Sequence, residues 1–201
     1  MPTTRELASQ IYLTIDGSEV QKTDLQNLVE VIVDQHAHLP DFFTLRLYDP
    51  GLTLLDSGPF NLTKEIEITS AAADGAKVTL FKGEITALEP RFKEGMNAEL
   101  VVQGYDKSHQ LYRATRSTAY LNKKDSDLAQ EIAQAAGLNA DVEQTGTVYE
   151  HIFQHNQSDL AFLMQRAWRI GYECFVDDGK LVFRQPPSGA AALELTWGQE
   201  L

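Results

Sequence analysis

The sequence predicts a mainly β fold that carries a small α+β element, and three observations lead to this prediction. Between residues 5 and 105, apolar residues recur at every second position in several short runs, which is the spacing of strands with one buried face. After residue 120, two stretches switch to the three-and-four spacing of amphipathic helices. A hairpin with Asp-Gly at its tip then follows at residues 175–183.

The first half contains six runs from which we predict strands, at residues 11–15, 28–34, 43–48, 65–69, 77–88 and 99–105. Turn signals follow two of them, Asp16-Gly17 after the first and Asp49-Pro50-Gly51 after the third. Gly83 in the longest run predicts a bulge or bend, and Pro90 is predicted to end that run. Strands that bend suit a small β-barrel.

The second half predicts two helices. The first is capped by Asp125 to Asp127 and ends at Gly137, and its apolar stripe consists of Leu128, Ile132 and Ala135. The second is capped by Ser158 and ends at Gly171, with Arg166 and Arg169 in the last turn, where cations suit the helix dipole. Its predicted apolar face is Leu160, Leu163, Met164 and Ala167.

These elements predict three segments. Residues 1–120 form a first β-barrel domain, and residues 121–187 form an α+β module of two helices and a β-hairpin. A Pro-Pro-Ser-Gly linker at residues 186–189 precedes a strand-like run at residues 193–201, so we expect residues 188–201 to begin a second barrel that is truncated here.

Composition excludes several classes of protein. Acidic residues outnumber basic ones by 29 to 17, which gives a net charge of −12 and argues against nucleic acid as a specific ligand. No apolar run approaches the length of a membrane-spanning helix, and we expect no membrane-spanning segment. The N-terminal residues lack the apolar stretch and cleavage site of a secretory signal peptide.

Two histidine pairs are the candidate metal ligands. His36 and His38 would point to the same face of a strand, and His151 and His155 have the spacing of a helical zinc pair. Neither pair has an evident third ligand, and the glutamate of H-E-x-x-H is missing. We therefore favour solvated histidines, and a His-based metal hydrolase is the least favoured alternative.

A cysteine and a group of aromatic residues are further candidates for a site, but packing in the core explains them better. The single cysteine, Cys174, lies in an alternating run and is predicted to be a buried, inert thiol. Trp168, Tyr172 and Phe175 could line a ligand cleft, but we favour Trp168 packing the second helix against the hairpin. No nucleophile elbow, phosphate-binding loop or dinucleotide-binding motif is present. The sequence therefore predicts no catalytic, cofactor-binding or metal-binding residues, and no enzyme.

Four short segments form a series along the chain. Residues 80–86 fit L-F-x-G-x-[IV]-T, residues 104–108 fit G-Y-D-x-S, residues 154–163 fit Q-x-N-x-[ST]-D-x-x-F-L, and residues 197–201 fit [YFW]-G-x-x-L. The remaining matches are Leu111, Arg113, Arg116, Arg166, Gly171 and Tyr172. The series resembles the VgrG / phage late control protein D family, over about residue 40 to the end.

The resemblance implies a structural hub of a contractile injection machine: a phage tail baseplate, a type VI secretion spike or an extracellular injection particle. It implies a homotrimer of β-barrel domains that joins the hexameric inner tube to the trimeric spike. The implied partners are other copies of the chain, the inner tube protein, baseplate proteins, and a spike tip or cargo effector.

We expect such a hub to assemble in the bacterial cytoplasm and to leave the cell as part of a virion tail or particle. Leu28–Val33 and Leu100–Gln103 are the candidate edge strands for assembly. The alternative from a different class is a monomeric β-barrel that binds a cargo protein or a glycan.

Overall fold

A computed structural model describes residues 10–36, 39–71, 77–94 and 97–189, and its architecture is mainly β with a small α+β element, as predicted. Its strands are β1 (Gln10–Ile15), β2 (Ser18–Glu19), β3 (Leu28–Asp34), β4 (Phe42–Tyr48), β5 (Glu65–Ala71), β6 (Lys77–Lys93), β7 (Asn97–Tyr105), β8 (Thr115–Lys123), β9 (Asn139–Val142), β10 (Tyr149–Ser158), β11 (Glu173–Asp177) and β12 (Lys180–Arg184). Its helices are α1 (Lys22–Leu25), α2 (Thr53–Ser57), α3 (His109–Tyr112), α4 (Asp125–Ala135) and α5 (Asp159–Arg169).

The first core lies inside a seven-stranded antiparallel sheet with the order β2-β1-β5-β6-β7-β4-β3. All six predicted strands belong to this sheet, and their alternating residues point inward because side chains alternate across a strand. The largest fully buried residues of this core are Leu13, Phe43, Leu45, Leu47, Phe60, Ile66, Ile68, Ile85 and Leu100. Within the described ranges no hydrogen-bond ladder joins β3 to β1 or β2.

The second core belongs to the α+β element. Helices α4 and α5 pack on a three-stranded sheet of order β11-β12-β9, in which β9 runs parallel to β12, and on a separate two-stranded ribbon of β8 and β10. The hairpin turn has the predicted Asp-Gly geometry, with φ of 44° at Asp178 and 72° at Gly179. Ser158 caps α5 as predicted, since its hydroxyl accepts a hydrogen bond from the Ala161 amide.

Gly83 and Gly104, from the motif segments at residues 80–86 and 104–108, permit close contact between β6 and β7. A Cβ placed on Gly83 would lie 2.2 Å from the Tyr105 carbonyl oxygen, and one on Gly104 would lie 2.0 Å from the Glu84 carbonyl oxygen. The bulge in the β6–β7 ladder falls between Ile85 and Ala87, two residues after Gly83. Gly83 therefore permits a close backbone approach beside the bulge that its position led us to expect.

Three predictions about elements are wrong. Pro90 does not end its strand, since β6 continues to Lys93. Beyond Glu84, β6 pairs only with β7, so its other edge is free and can accommodate a proline nitrogen, which has no hydrogen to donate. Ala135 is exposed, and the buried stripe of α4 passes through Ala129 and Ala133 instead. The Leu100–Gln103 segment is not an edge, because β7 lies between β6 and β4.

The predicted boundary after residue 120 falls within β8, and the division into segments stays a prediction. The strand-like run at residues 193–201 lies outside the described residues. Among the helices that the structure describes, none is long and apolar enough to cross a membrane.

Candidate interaction surfaces and the cleft along β11

Of the four candidate metal-ligating histidines, the three that the structure describes lie on exposed surface. His36 donates its backbone N–H to the Asp41 carboxylate at 2.8 Å, and His38 lies outside the described residues. His151 and His155 are both exposed on β10, with the Phe153 ring stacked between theirs at 6.3 and 5.7 Å. Within the described ranges no three His, Cys, Asp or Glu side chains come together as metal ligands.

The outer face of the β8–β10 ribbon exposes large apolar side chains to solvent beside His151 and His155. Leu121 is 62% exposed and Phe153 is 50% exposed, and the register places Leu121 opposite His151 and Ala119 opposite Phe153. The inner face is buried, with Tyr120 and Ile152 packed into the second core. The register makes Leu121 and Phe153 diagonal neighbours, and contiguous exposed apolar residues are typical of surfaces that another protein covers.

A buried polar network lies under the ribbon. Its residues include several of those that carry the resemblance to the VgrG / phage late control protein D family. The Gln154 amide donates to the Asp159 carboxylate at 2.9 Å and accepts from the Tyr120 hydroxyl at 3.1 Å. Arg116 pairs with the other oxygen of Asp159 at 2.7 Å. Because each polar group meets a partner, the network positions α5 against the ribbon, and this is a structural role.

Arg166 also has a role that its position in the helix did not predict. It is buried, and its Nε lies 2.5 Å from Oδ1 of Asp125, the first residue of α4. Its guanidinium also lies 4.5 Å from the centre of the Tyr149 ring. Arg166 therefore joins α5, α4 and β10, and this ion pair, rather than the helix dipole alone, explains the arginine.

Strand β3 is the second exposed surface, as predicted for the Leu28–Val33 segment. It ends the seven-stranded sheet, and Val29 and Ile32 are exposed on it. The strand contains no lysine or proline, the residues that commonly protect an edge from pairing with other chains.

The third surface is a cleft of about 430 Å³ between the two cores. Its walls come from the residues around His36, from α5 and from β11, and all three aromatic residues singled out in the sequence line it. The favoured packing role of Trp168 is wrong, because its side chain is 57% exposed at the mouth of the cleft. Ala167, Leu163 and Met164 pack α5 instead.

Cys174 is buried in the lining of the cleft, as predicted. Loss of hydration raises the pKa of its thiol to about 12, so the thiol is protonated at neutral pH and is a poor nucleophile.

The fold raises the pKa of Asp106, a buried acid. Burial raises the pKa of its carboxyl to about 6, and the nearby charge of Asp41 adds to this rise, while the Ser108 hydroxyl, which donates to it at 2.6 Å, opposes the rise. His109 lies beside it, with Nδ1 at 2.7 Å from the Asp106 carbonyl oxygen.

We expect Asp106→Asn to stabilise the protein at neutral pH. The pKa in the folded state, about 6, exceeds the ordinary value of 3.8, so the folded state holds its proton longer. Stability present below pH 4 is therefore lost as the pH rises through 6, by up to about 3 kcal/mol. The difference in unfolding free energy between variant and parent, from urea titrations at pH 4 and pH 7, should grow by most of this amount, about 2 kcal/mol. A constant difference contradicts the assignment, and the exposed Glu19→Gln variant is the control.

Sequence reasoning predicted an extended segment at Val148 to Gln154, which overlaps β10, but it missed strand β8, the exposed face of the ribbon and the acidic character of the cleft. Strand β8 was not predicted because Thr115, Arg116, Ser117 and Thr118 interrupt its alternation with polar residues. The alternation of His151, Phe153 and His155 with Ile152 and Gln154 was the signal for an exposed apolar face on β10.

Solved structures of similar fold come from bacteriophage tails and secretion systems. The 43 kDa tail protein of prophage MuSo2 from Shewanella oneidensis matches with a TM-score of 0.74 and 16% identity, over 96% of this chain and 58% of that one. A tail protein from Neisseria meningitidis MC58 matches at 0.62 and 16%, over 87% and 50%. A type VI secretion component from E. coli matches at 0.55 and 15%, over 85% and 47%.

This chain thus spans about half the length of these structures, and at such identities the likeness concerns the fold. The resemblance to the VgrG / phage late control protein D family is supported at that level. No curated protein matches the sequence significantly. The family model that matches is a different one, the Alg8 N-terminal domain, and it covers residues 11–201. The chain belongs to the Alg8 N-terminal domain family.

Proposed function

We propose that this chain is a structural hub component of a contractile injection apparatus, such as a phage tail baseplate, a type VI secretion spike or an extracellular injection particle. The observation that carries the proposal is the fold match to a prophage tail protein over 96% of this chain. In this role the chain joins the inner tube to the spike, forms a homotrimer and has no catalytic function. Baseplate proteins and a spike tip or cargo effector are its further partners.

The exposed surfaces support an assembling protein. A ring of identical subunits needs two different patches on each copy that fit one another. The apolar outer face of the β8–β10 ribbon and the unprotected edge strand β3 lie in different sheets and belong to different cores. Both carry large exposed apolar residues, Leu121 and Phe153 on the first and Val29 and Ile32 on the second.

The Phe153→Asp variant tests the ribbon in this assembly. Light scattering over a concentration series should give the parent chain a molar mass three times 22.4 kDa. The variant should shift to the monomer because a carboxylate at the centre of an apolar interface loses its hydration; we expect a loss of at least about tenfold in association.

Leu62→Asp is the matched control, because Leu62 is exposed to a similar extent and lies outside the ribbon and β3. It should leave the trimer intact. A parent chain that stays monomeric at every concentration contradicts the trimer and favours the binding-module alternative. A trimer that both variants retain contradicts the ribbon as its interface.

A further inference from the structure

The shape of the cleft along β11 suits an extended chain. Strand β11 is at the end of its sheet, so one of its edges has no partner among the described strands. All five of its residues line the cleft, although their side chains alternate between two faces. A cleft that runs along the free edge of the strand, where the backbone itself forms a wall, accounts for this lining.

The register of the hairpin identifies the backbone groups on that edge. Asp177 pairs with Lys180 across a two-residue turn, and such a flanking pair exchanges both of its hydrogen bonds. The alternation then directs Glu173 and Phe175 to β12 as well. The N–H and C=O groups of Cys174 and Val176 are left on the free edge, spaced as an added strand requires.

The lining of the cleft has an excess of negative charge. Its lining contains the carboxylates of Asp41, Glu173 and Asp177 and no lysine or arginine among the described residues. Glu173 is paired with Arg184 at 2.9 Å, whereas no ion pair of the described residues includes the exposed Asp177. A smaller hollow of about 240 Å³ continues the cleft past Asp41 and Asp177 to Asp106 and Asp178.

The only cation lining this continuation, within the described residues, is Lys82, which Asp178 already neutralises at 3.2 Å. Leu160 and Met164 in the lining provide contacts for side-chain stems, and Trp168 provides an aromatic ring for a cation. The Phe175 ring already has the guanidinium of Arg184 at 5.8 Å from its centre. An occupant with alternating basic and apolar side chains matches both the charge and the walls.

We propose that this cleft binds an extended basic segment of a partner protein, which adds as a strand to the free edge of β11 and places lysine or arginine side chains beside Asp41 and Asp177. A sheet edge gives affinity through main-chain hydrogen bonds, and the flanking charges select the partner. The run at residues 193–201 of this chain is not the basic segment that the cleft requires, since it carries Glu194 and Glu200 and no basic residue. The proposal rests on the cleft alone and is independent of the hub role.

Fluorescence anisotropy with short labelled peptides tests the proposal on the full chain. A peptide of alternating lysine and valine should bind, and one of alternating glutamate and valine should not. Methylation of alternate backbone nitrogens in the lysine peptide keeps its charge and removes the donors that pair with β11, and it should weaken binding by about tenfold or more. Binding of the lysine peptide should also fall as salt is added.

The Asp177→Lys variant should weaken binding of the lysine peptide by at least about tenfold, because it places like charges side by side. Glu19→Lys makes the same charge change on β2, away from the cleft, and should change the affinity by less than about threefold. Three results overturn the proposal: no binding of the lysine peptide, equal loss in the two variants, or equal binding of the methylated peptide. The last result leaves only charge attraction, without strand addition.

Discussion

Arg166→Met should lower the free energy of unfolding by about 3–5 kcal/mol, which is the largest effect that we expect from a single polar residue. Its partner, Asp125, is almost fully buried at the start of α4, and the two side chains meet at 2.5 Å. Removal of the arginine leaves a buried carboxylate without its countercharge and without water to solvate it. The same change removes the contact with the Tyr149 ring.

A double-mutant cycle separates the ion pair from simple loss of packing. The Asp125→Leu/Arg166→Met variant should be more stable than Arg166→Met, because no unpaired charge remains in it. Arg91→Met is the control, because Arg91 makes its ion pair with Glu89 on the exposed surface and should change stability by less than about 1 kcal/mol. Urea titrations measure five proteins: the parent, the single variants Arg166→Met and Asp125→Leu, the double variant, and Arg91→Met. A single-variant loss as small as that of the control contradicts the role assigned to Arg166.

Alanine at Gly104 should destabilise the protein by about 3 kcal/mol, at the upper end of the usual cost of overpacking. The new methyl group would meet the Glu84 carbonyl oxygen at 2.0 Å and the Phe43 ring at 2.6 Å, so that β6 and β7 must move apart. Gly83→Ala should have a similar effect, because its methyl group would meet the Tyr105 carbonyl oxygen. The two strands form the centre of the seven-stranded sheet.

Gly146→Ala provides the matched control. No atom lies within 4 Å of a Cβ at Gly146, and this glycine is not among those with positive φ, so the change should be within about 0.5 kcal/mol. Thermal unfolding followed by circular dichroism measures all three variants. If Gly104→Ala unfolds at the same temperature as Gly146→Ala, the close approach of β6 and β7 is not a constraint on the fold.

The strands of the first core could be predicted because one face of each is buried. Phe43, Leu45 and Leu47 alternate with polar neighbours, and the structure buries all three. The length of β6 could not be predicted in the same way. The effect of Pro90 depends on whether a neighbouring strand lies on its nitrogen side, and that neighbour is distant in the sequence.

The surfaces depend even more on contacts between distant residues. Trp168 is a large aromatic residue of the kind that usually packs in a core. Smaller side chains on the same helix occupy the core instead, and Trp168 lies exposed beside the cleft. Asp41 and Asp177 are far apart in sequence, and only the meeting of the two cores places them along one cleft. A local sequence pattern does not indicate which distant segments come into contact, so neither the cleft nor its charge could be predicted.

The central claim, that the chain is a structural part of an injection apparatus, is tested most directly on intact particles. Contractile particles sedimented from a lysate of the bacterium that produces the chain can be analysed by quantitative mass spectrometry. The account predicts that the chain sediments with the inner tube protein, at three copies per particle. A chain that remains in the supernatant while the tube protein sediments would contradict it.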